Sequence, residues 1–308
     1  MMCCVHSVED ALGALLGGRV VLTALRPGPG RRNQLAQAQV RGQRYVLKFG
    51  GALAREAWAL RALPPGLGPA LVQAPGGGAS EPLIMEHLAG KPLIRSRARP
   101  VLAALARRIA ALHAIRPRRG PPLACPSHPP ALLALAEELA RALRERGVIG
   151  PEVWPVLESG LSLARAHLGR LDPGRWRRPV RALCHGDLAW HNVLMRGRRL
   201  WLIDFELAGL GDPMVDLALF LSRNPLTRSD ERRFLEAYQE RSKDRDCYQR
   251  FAGVFPLVGL VSALNGLLAV EENAVGWPSG ALQLRARRAA RELDRALRRL
   301  GRADVEMP

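Results

Sequence analysis

The chain has 308 residues, enough for one large domain or two of ordinary size, and 48% of them are apolar, which excludes wholesale disorder. Forty-six Lys and Arg against 28 Asp and Glu leave a net charge of +18, yet only Lys48, Lys91 and Lys243 among the basic residues are Lys. Such a bias, beside so much Ala, Leu, Gly and Pro, reflects genome composition as much as a selected surface, so charge alone does not establish nucleic acid as a partner.

Taken in chain order, residues 1–10 reach Glu9 and Asp10 before any apolar run, and no secretory signal is expected there. Residues 20–25 and 35–40 read as short strands on either side of a turn-rich PGPGRRN at 27–33. Residues 44–49 alternate, with Tyr45, Leu47 and Phe49 on one face and Val46 and Lys48 on the other. Gly50-Gly51 breaks that strand. A helix over 52–63 follows, stopped by Pro64-Pro65, and then a strand over 82–88. Beyond Pro100 the pattern becomes helical, over 101–115, 131–146, 155–168, 229–241, 251–270 and 282–300, with a Pro/Gly-rich connection at 117–130. Residues 251–270 carry no charge and match a membrane span in length. They also contain Pro256, Ser262, Asn265 and three glycines, and the reading adopted is a buried core helix, with no membrane association. The pattern is α+β: a small sheet-bearing unit over 1–88 and a larger, mainly helical one over 89–308, joined near 86–90. Five cysteines (Cys3, Cys4, Cys125, Cys184, Cys247) form no CxxC pair, so no zinc site or disulfide framework is read and a reducing cytoplasm is expected.

Charge is unevenly spread. Residues 87–182 carry +12, whereas 183–246 carry ten basic and eleven acidic side chains. That near-neutral stretch holds LCHGDLAWHNVLM (183–195), a polar RGRR turn (196–199) and LWLIDFE (200–206). Two apolar arms around a glycine-containing turn predict a hairpin. With the turn centred on residue 198, residue 192 faces 204, which places Asn192 and Asp204 opposite each other with Cα atoms about 4.5–5.5 Å apart. An amide oxygen and a carboxylate so placed form a hard-oxygen site suited to Mg²⁺. Asp187, five residues before Asn192 on a loop that His185-Gly186 lets turn sharply, can accept a proton from an incoming hydroxyl.

The run His-Gly-Asp-x-x-x-x-Asn followed by Ile-Asp-Phe-Glu, with GDPMVDLA at 211–218, resembles the aminoglycoside phosphotransferase and choline kinase branch of the protein-kinase-like fold. The resemblance covers roughly residues 19–240 and implies a bilobal fold, with a small N-terminal antiparallel-sheet lobe and a larger, mainly helical C-terminal lobe. It implies Asp187 as catalytic base and Asn192 and Asp204 as Mg²⁺ ligands. Lys48 would pair with the nucleotide phosphates, held by Glu56. Glu86, His87 and Leu88 resemble the hinge that borders adenine. Gly30, Arg31, Arg32 and Asn33 stand where a phosphate loop is expected, one position short of G-x-G-x-x-G, with their backbone N–H groups as the cover. His113 reads as structural. No G-x-x-x-x-G-K-[ST] occurs, which excludes a Walker-type NTPase.

The expected activity is Mg²⁺-dependent transfer of a phosphoryl group from ATP or GTP to a small-molecule hydroxyl. A protein Ser/Thr kinase of atypical type is the alternative, disfavoured because only ten residues separate Phe205 from Asp216. An Arg-rich nucleic-acid-binding protein is the reading from another class; Arg runs on helices and loops are more often a solvated face, and nucleic acid is not expected as a partner. Trp190, Asp212, Glu271, Glu272 and Trp277 are the candidates for contact with the acceptor, since cationic substrates of this family need carboxylates or aromatic faces.

Overall fold

The structure, a computed structural model, describes residues 13, 17–25, 34–50, 52–76, 81–94, 98–148, 154–176, 180–224, 226–272 and 279–302. Strands β1 (Val21–Leu25), β2 (Gln34–Val40) and β3 (Gln43–Phe49) form an antiparallel meander. Arg41 and Gly42 connect β2 to β3 with φ of 49° and 80°, the two left-handed residues that a tight type I′ turn requires. β4 (Leu71–Gln73) and β5 (Leu83–Glu86) complete a five-stranded sheet in the order β1-β2-β3-β5-β4. The alternation read in β3 sorts its side chains as expected. Leu47 packs with Ala38 and Ile84, joined by Tyr45 and Phe49, while Val46 packs against the main core and Lys48 is buried.

Helix α1 (Leu53–Ala62) follows β3 and ends where Leu63 turns extended before the two prolines. Two of its side chains tie it to the rest of the chain. Arg55 donates to the carbonyls of Pro122 and Ala208 at 2.8 and 3.0 Å, and Trp58 Nε1 donates to the Arg119 carbonyl at 3.1 Å.

The remainder is mainly helical: α2 (Leu102–His113), α3 (Pro129–Glu145), α4 (Trp154–Arg170), α5 (Pro213–Arg223), α6 (Arg228–Ser242), α7 (Cys247–Glu272) and α8 (Ser279–Arg302). Helix α7 is long and apolar enough to cross a membrane, but it is mostly buried, packed against α8, α5 and α3. It is apolar on every side because neighbours surround it, as the core-helix reading expected. Short strands thread between the helices. β6 (Lys91–Pro92), β8 (Val193–Arg196) and β9 (Arg199–Leu202) form one ladder; β7 (Ala182–Cys184) and β10 (Gly209–Gly211) form another.

The β8–β9 hairpin corrects the expected register by one residue. Val193 pairs with Leu202 and Arg196 with Arg199, so the turn is the two residues Gly197-Arg198, with Gly197 at φ 58°. The N–H of Ile203, not of Asp204, reaches the Asn192 carbonyl, at 3.0 Å. Asp204 is therefore not opposite Asn192. It lies two residues past the end of β9 in a left-handed conformation, φ 69°, which Asp tolerates better than most residues.

Candidate active site

The site grows from two adjacent breaks in regular structure, the loop between β7 and β8 and the residues after β9. In the first, Gly186 at φ 80° turns the chain; a Cβ there would meet the Leu207 carbonyl oxygen at 2.3 Å, so only glycine fits. The loop is held from beneath by Asp216 of α5, which is fully buried. Its carboxylate accepts from the N–H groups of His185 (2.5 Å) and Gly186 (2.8 Å) and from His113 Nε2 (3.0 Å). The other ring nitrogen of His113, Nδ1, hydrogen-bonds the Tyr238 hydroxyl at 2.9 Å, so His113 is a structural link, as read from the sequence. Burial alone would raise the Asp216 pKa; the donors from His113 and His185 overcome this and hold it below the ordinary Asp value.

His185 joins the two breaks. Its Nε2 donates to the Ile203 carbonyl at 2.9 Å and its Nδ1 accepts from the Asp187 N–H at 3.3 Å, so the ring bridges the backbone of Asp187 and of the residue before Asp204. Asn192, 2% exposed, donates from Nδ2 to the carbonyl of Asp187 (2.9 Å) and to its Oδ2 (3.0 Å). With Nδ2 committed to Asp187, Oδ1 is the amide atom that remains for a cation.

Lys48 closes the site from the sheet. Its ammonium lies 2.6 Å from Glu56 Oε2, 2.6 Å from Asp204 Oδ1 and 3.2 Å from Glu206 Oε2. Glu56, 1% exposed, also accepts from the Phe205 N–H through Oε1 at 3.2 Å, so α1 holds both the lysine and the backbone beside Asp204. Burial would lower the Lys48 pKa, but Glu56 and Asp204 outweigh it and keep the ammonium charged. One cation thus faces three carboxylates. The excess negative charge and the hard oxygens of Asp204 and Glu206 around Lys48 are of the kind that a divalent Mg²⁺ takes, as is the Asn192 amide oxygen.

Glu86 ends β5, and His87 and Leu88 follow it; all three are half-buried, and the His87 N–H bonds the Arg44 carbonyl at 3.2 Å. Trp190 is half-buried with its ring edge-on to Phe220 at 4.7 Å. Asp212, expected to face the acceptor, is 4% exposed. It caps α5 through the Met214 N–H (2.9 Å) and pairs with Arg250 (3.1 Å), so it belongs to the frame. Gly30, Arg31, Arg32, Asn33 and Trp277 lie outside the described residues. Glu271 and Glu272 end α7, with side chains also outside them.

Three contributors escaped the sequence reading. Glu206 was visible as the neighbour of Asp204 but was given no role. Arg55 and Arg223, which reach carbonyls near the site and Asp187 respectively, are two arginines in a chain full of them, and nothing in their spacing marks them.

The profile of the phosphotransferase enzyme family matches residues 23–254, three quarters of the sequence and every residue of this cluster. The chain belongs to that family. Protein LicA of Haemophilus influenzae is 38% identical over 55 residues, which cover 18% of this chain and 21% of that protein. In three dimensions the chain is similar to the choline kinase LicA of Streptococcus pneumoniae, with TM-score 0.66, 20% identity, and 96% and 98% of the two chains covered. It is also similar to a thermostable mutant of the aminoglycoside phosphotransferase APH(4)-Ia in ternary complex with ADP and hygromycin B: TM-score 0.63, 18% identity, and 95% and 98% covered. The fold is therefore protein-kinase-like, an antiparallel five-stranded sheet followed by a mainly helical remainder.

Proposed function

We propose that this phosphotransferase moves the terminal phosphoryl group of ATP or GTP to a hydroxyl of a small molecule, with Asp187 as the base. The observation that carries the reading is the convergence of Lys48, Glu56 and Asp204 within ion-pair distance beside a loop that ties Asp187 to Asn192. Asn192, Asp204 and Glu206 would hold Mg²⁺, which when bound would draw charge from the phosphate oxygens. Lys48 offers its ammonium to the same phosphates, and Glu56 keeps it aimed there. Asp187 orients the acceptor hydroxyl and takes its proton as the new O–P bond forms. The ends of β5 and β6 mark the change of lobe, because β5 completes the five-stranded sheet while β6 pairs with β8; we place the boundary at 88/89 on that basis. Adenine or guanine would rest against the segment formed by Glu86, His87 and Leu88, and Gly30 to Asn33 would cover the phosphates.

A small acceptor is favoured over a protein. After Phe205 the chain goes directly into β10, which pairs with β7, and then into α5, leaving no loop to seat a peptide. Several arginines serve internal bonds: Arg108 to the Leu200 carbonyl, Arg250 to Asp212 and Asp244, and Arg299 to Glu231. This supports a partner list without nucleic acid. Cys125, Cys184 and Cys247 are free thiols, in keeping with a reducing cytoplasm. Trp190, Glu271, Glu272 and Trp277 stay as acceptor candidates; the buried Asp212 does not. The test is nucleotide consumption across choline, ethanolamine, hygromycin B and a panel of hydroxylated metabolites. Acceptor-dependent ADP or GDP formation supports the reading, and none with any acceptor or nucleotide would refute it.

A further inference from the structure

Arg223, the last residue of α5, reaches back to the loop that carries Asp187. Its NH1 donates to Asp187 Oδ1, and its Nε donates to Ser262 Oγ on α7 at 3.2 Å. The two ion-pair side chains are about one quarter exposed, at 25% and 26%, whereas Ser262 is buried. The end of α5 is itself fixed, because Arg295 of α8 donates to the Ser222 carbonyl at 3.1 Å and Asn224 Nδ2 donates to the Phe220 carbonyl at 2.7 Å.

The opposite oxygen of Asp187 accepts from Asn192. One donor alone leaves a carboxylate able to turn about its terminal torsion, which is broad and two-fold. A second donor on the other oxygen sets its plane. Guanidinium suits this role because Nε and NH1 lie in one rigid plane, so anchoring Nε on a buried hydroxyl aims NH1. Each carboxylate oxygen still has lone-pair capacity for an acceptor hydroxyl. We propose that Arg223 is a positioning residue for phosphoryl transfer: from α5 it sets the plane of the Asp187 carboxylate, with Ser262 as its strut. The proposal rests on Asp187 being the base.

The test uses the full chain with Mg²⁺-ATP and whichever of choline, ethanolamine, hygromycin B or water supports the fastest turnover. Arg223→Ala lowers kcat by about 100-fold, the scale of an ångström-sized misplacement, while the KM for ATP stays within about two-fold. Methylguanidinium added to that variant restores part of the rate. Ser262→Ala lowers kcat several-fold but adds nothing in the Arg223→Ala background, because the strut acts only through Arg223. If Arg223→Ala does not fold, Arg223→Lys and Ser262→Ala carry the test, and both lower kcat without changing KM. An unchanged kcat, a loss confined to the KM for ATP, or no rescue by methylguanidinium overturns the proposal. Asp187→Asn separates it from the reading beneath: full turnover by that variant removes the base itself, whereas its inactivity beside an unaffected Arg223→Ala removes only the positioning role.

Discussion

Replacing Glu56 by Gln removes one charge from the centre of the site while keeping its shape, and the structure sets the size of the effect. Breaking a buried ion pair costs about 3–5 kcal/mol when the surviving charge is left bare. Lys48 would not be bare, because Asp204 and Glu206 remain 2.6 and 3.2 Å away. The loss is then nearer about 2 kcal/mol, or a melting temperature lower by about 3 °C for a chain of 308 residues. Activity suffers more than stability. Without Glu56 the lysine is drawn wholly toward Asp204, and the Phe205 N–H competes for the one amide oxygen that remains. A misplacement of that kind costs about 100-fold in kcat. Thermal melting and steady-state kinetics on the same preparation read both numbers. A stability loss above about 5 kcal/mol would mean that Asp204 and Glu206 do not hold the lysine. An unchanged kcat would show that Glu56 has no part in aiming it.

Two further changes probe the frame. Gly186→Ala forces a Cβ against the Leu207 carbonyl at a positive φ, so the protein should lose about 2–4 kcal/mol in denaturant titration, along with its phosphotransfer rate. His167 is buried, its Nε2 donating to the Gly253 carbonyl at 3.0 Å, and burial holds its pKa below the ordinary 6.5. The unfolded chain therefore binds a proton at a pH where the folded chain resists it. The stability contributed by neutral His167 is full above pH 6.5 and is lost as pH falls through the lower folded value. The urea midpoint should drop between pH 7.5 and 5.5, and His167→Gln should flatten that slope; an equal slope in the variant would show that other groups set it.

Much of this architecture can be read in the chain because its signals are local and periodic. Lys48 sits on the strand face that alternation assigns it, and the boundaries of α1, α2 and α3 fall within one or two residues of their predicted ones. The strands at 71–73, 182–184 and 209–211 are three residues long, too short for any period to show. Helix α5 is buried from Pro213 to Ser222, so it has no polar face to reveal it, although Asp212 followed by Pro213 is a start signal. The hairpin register slipped because RGRR fits a two- or a three-residue turn equally well, and only tertiary contacts, such as the bond from the Leu202 N–H to the Leu67 carbonyl, choose between them. Asn192 and Asp204 were nevertheless both assigned to the site. Their types fit a hard-oxygen site, and Asp204, in its left-handed turn, reaches Lys48 instead of facing Asn192. Arg223 needed the fold, since its partners Asp187 and Ser262 lie 36 and 39 residues away.

The measurement closest to the central claim is phosphoryl transfer by Asp187→Asn, whose side chain keeps the volume and loses the proton acceptor. The protein should melt close to the native temperature, bind nucleotide with unchanged affinity, and lose about 10²–10⁴-fold in transfer rate, the span attributed to a general base. Native-like transfer by that folded, nucleotide-binding variant would contradict the assignment of Asp187 as the base.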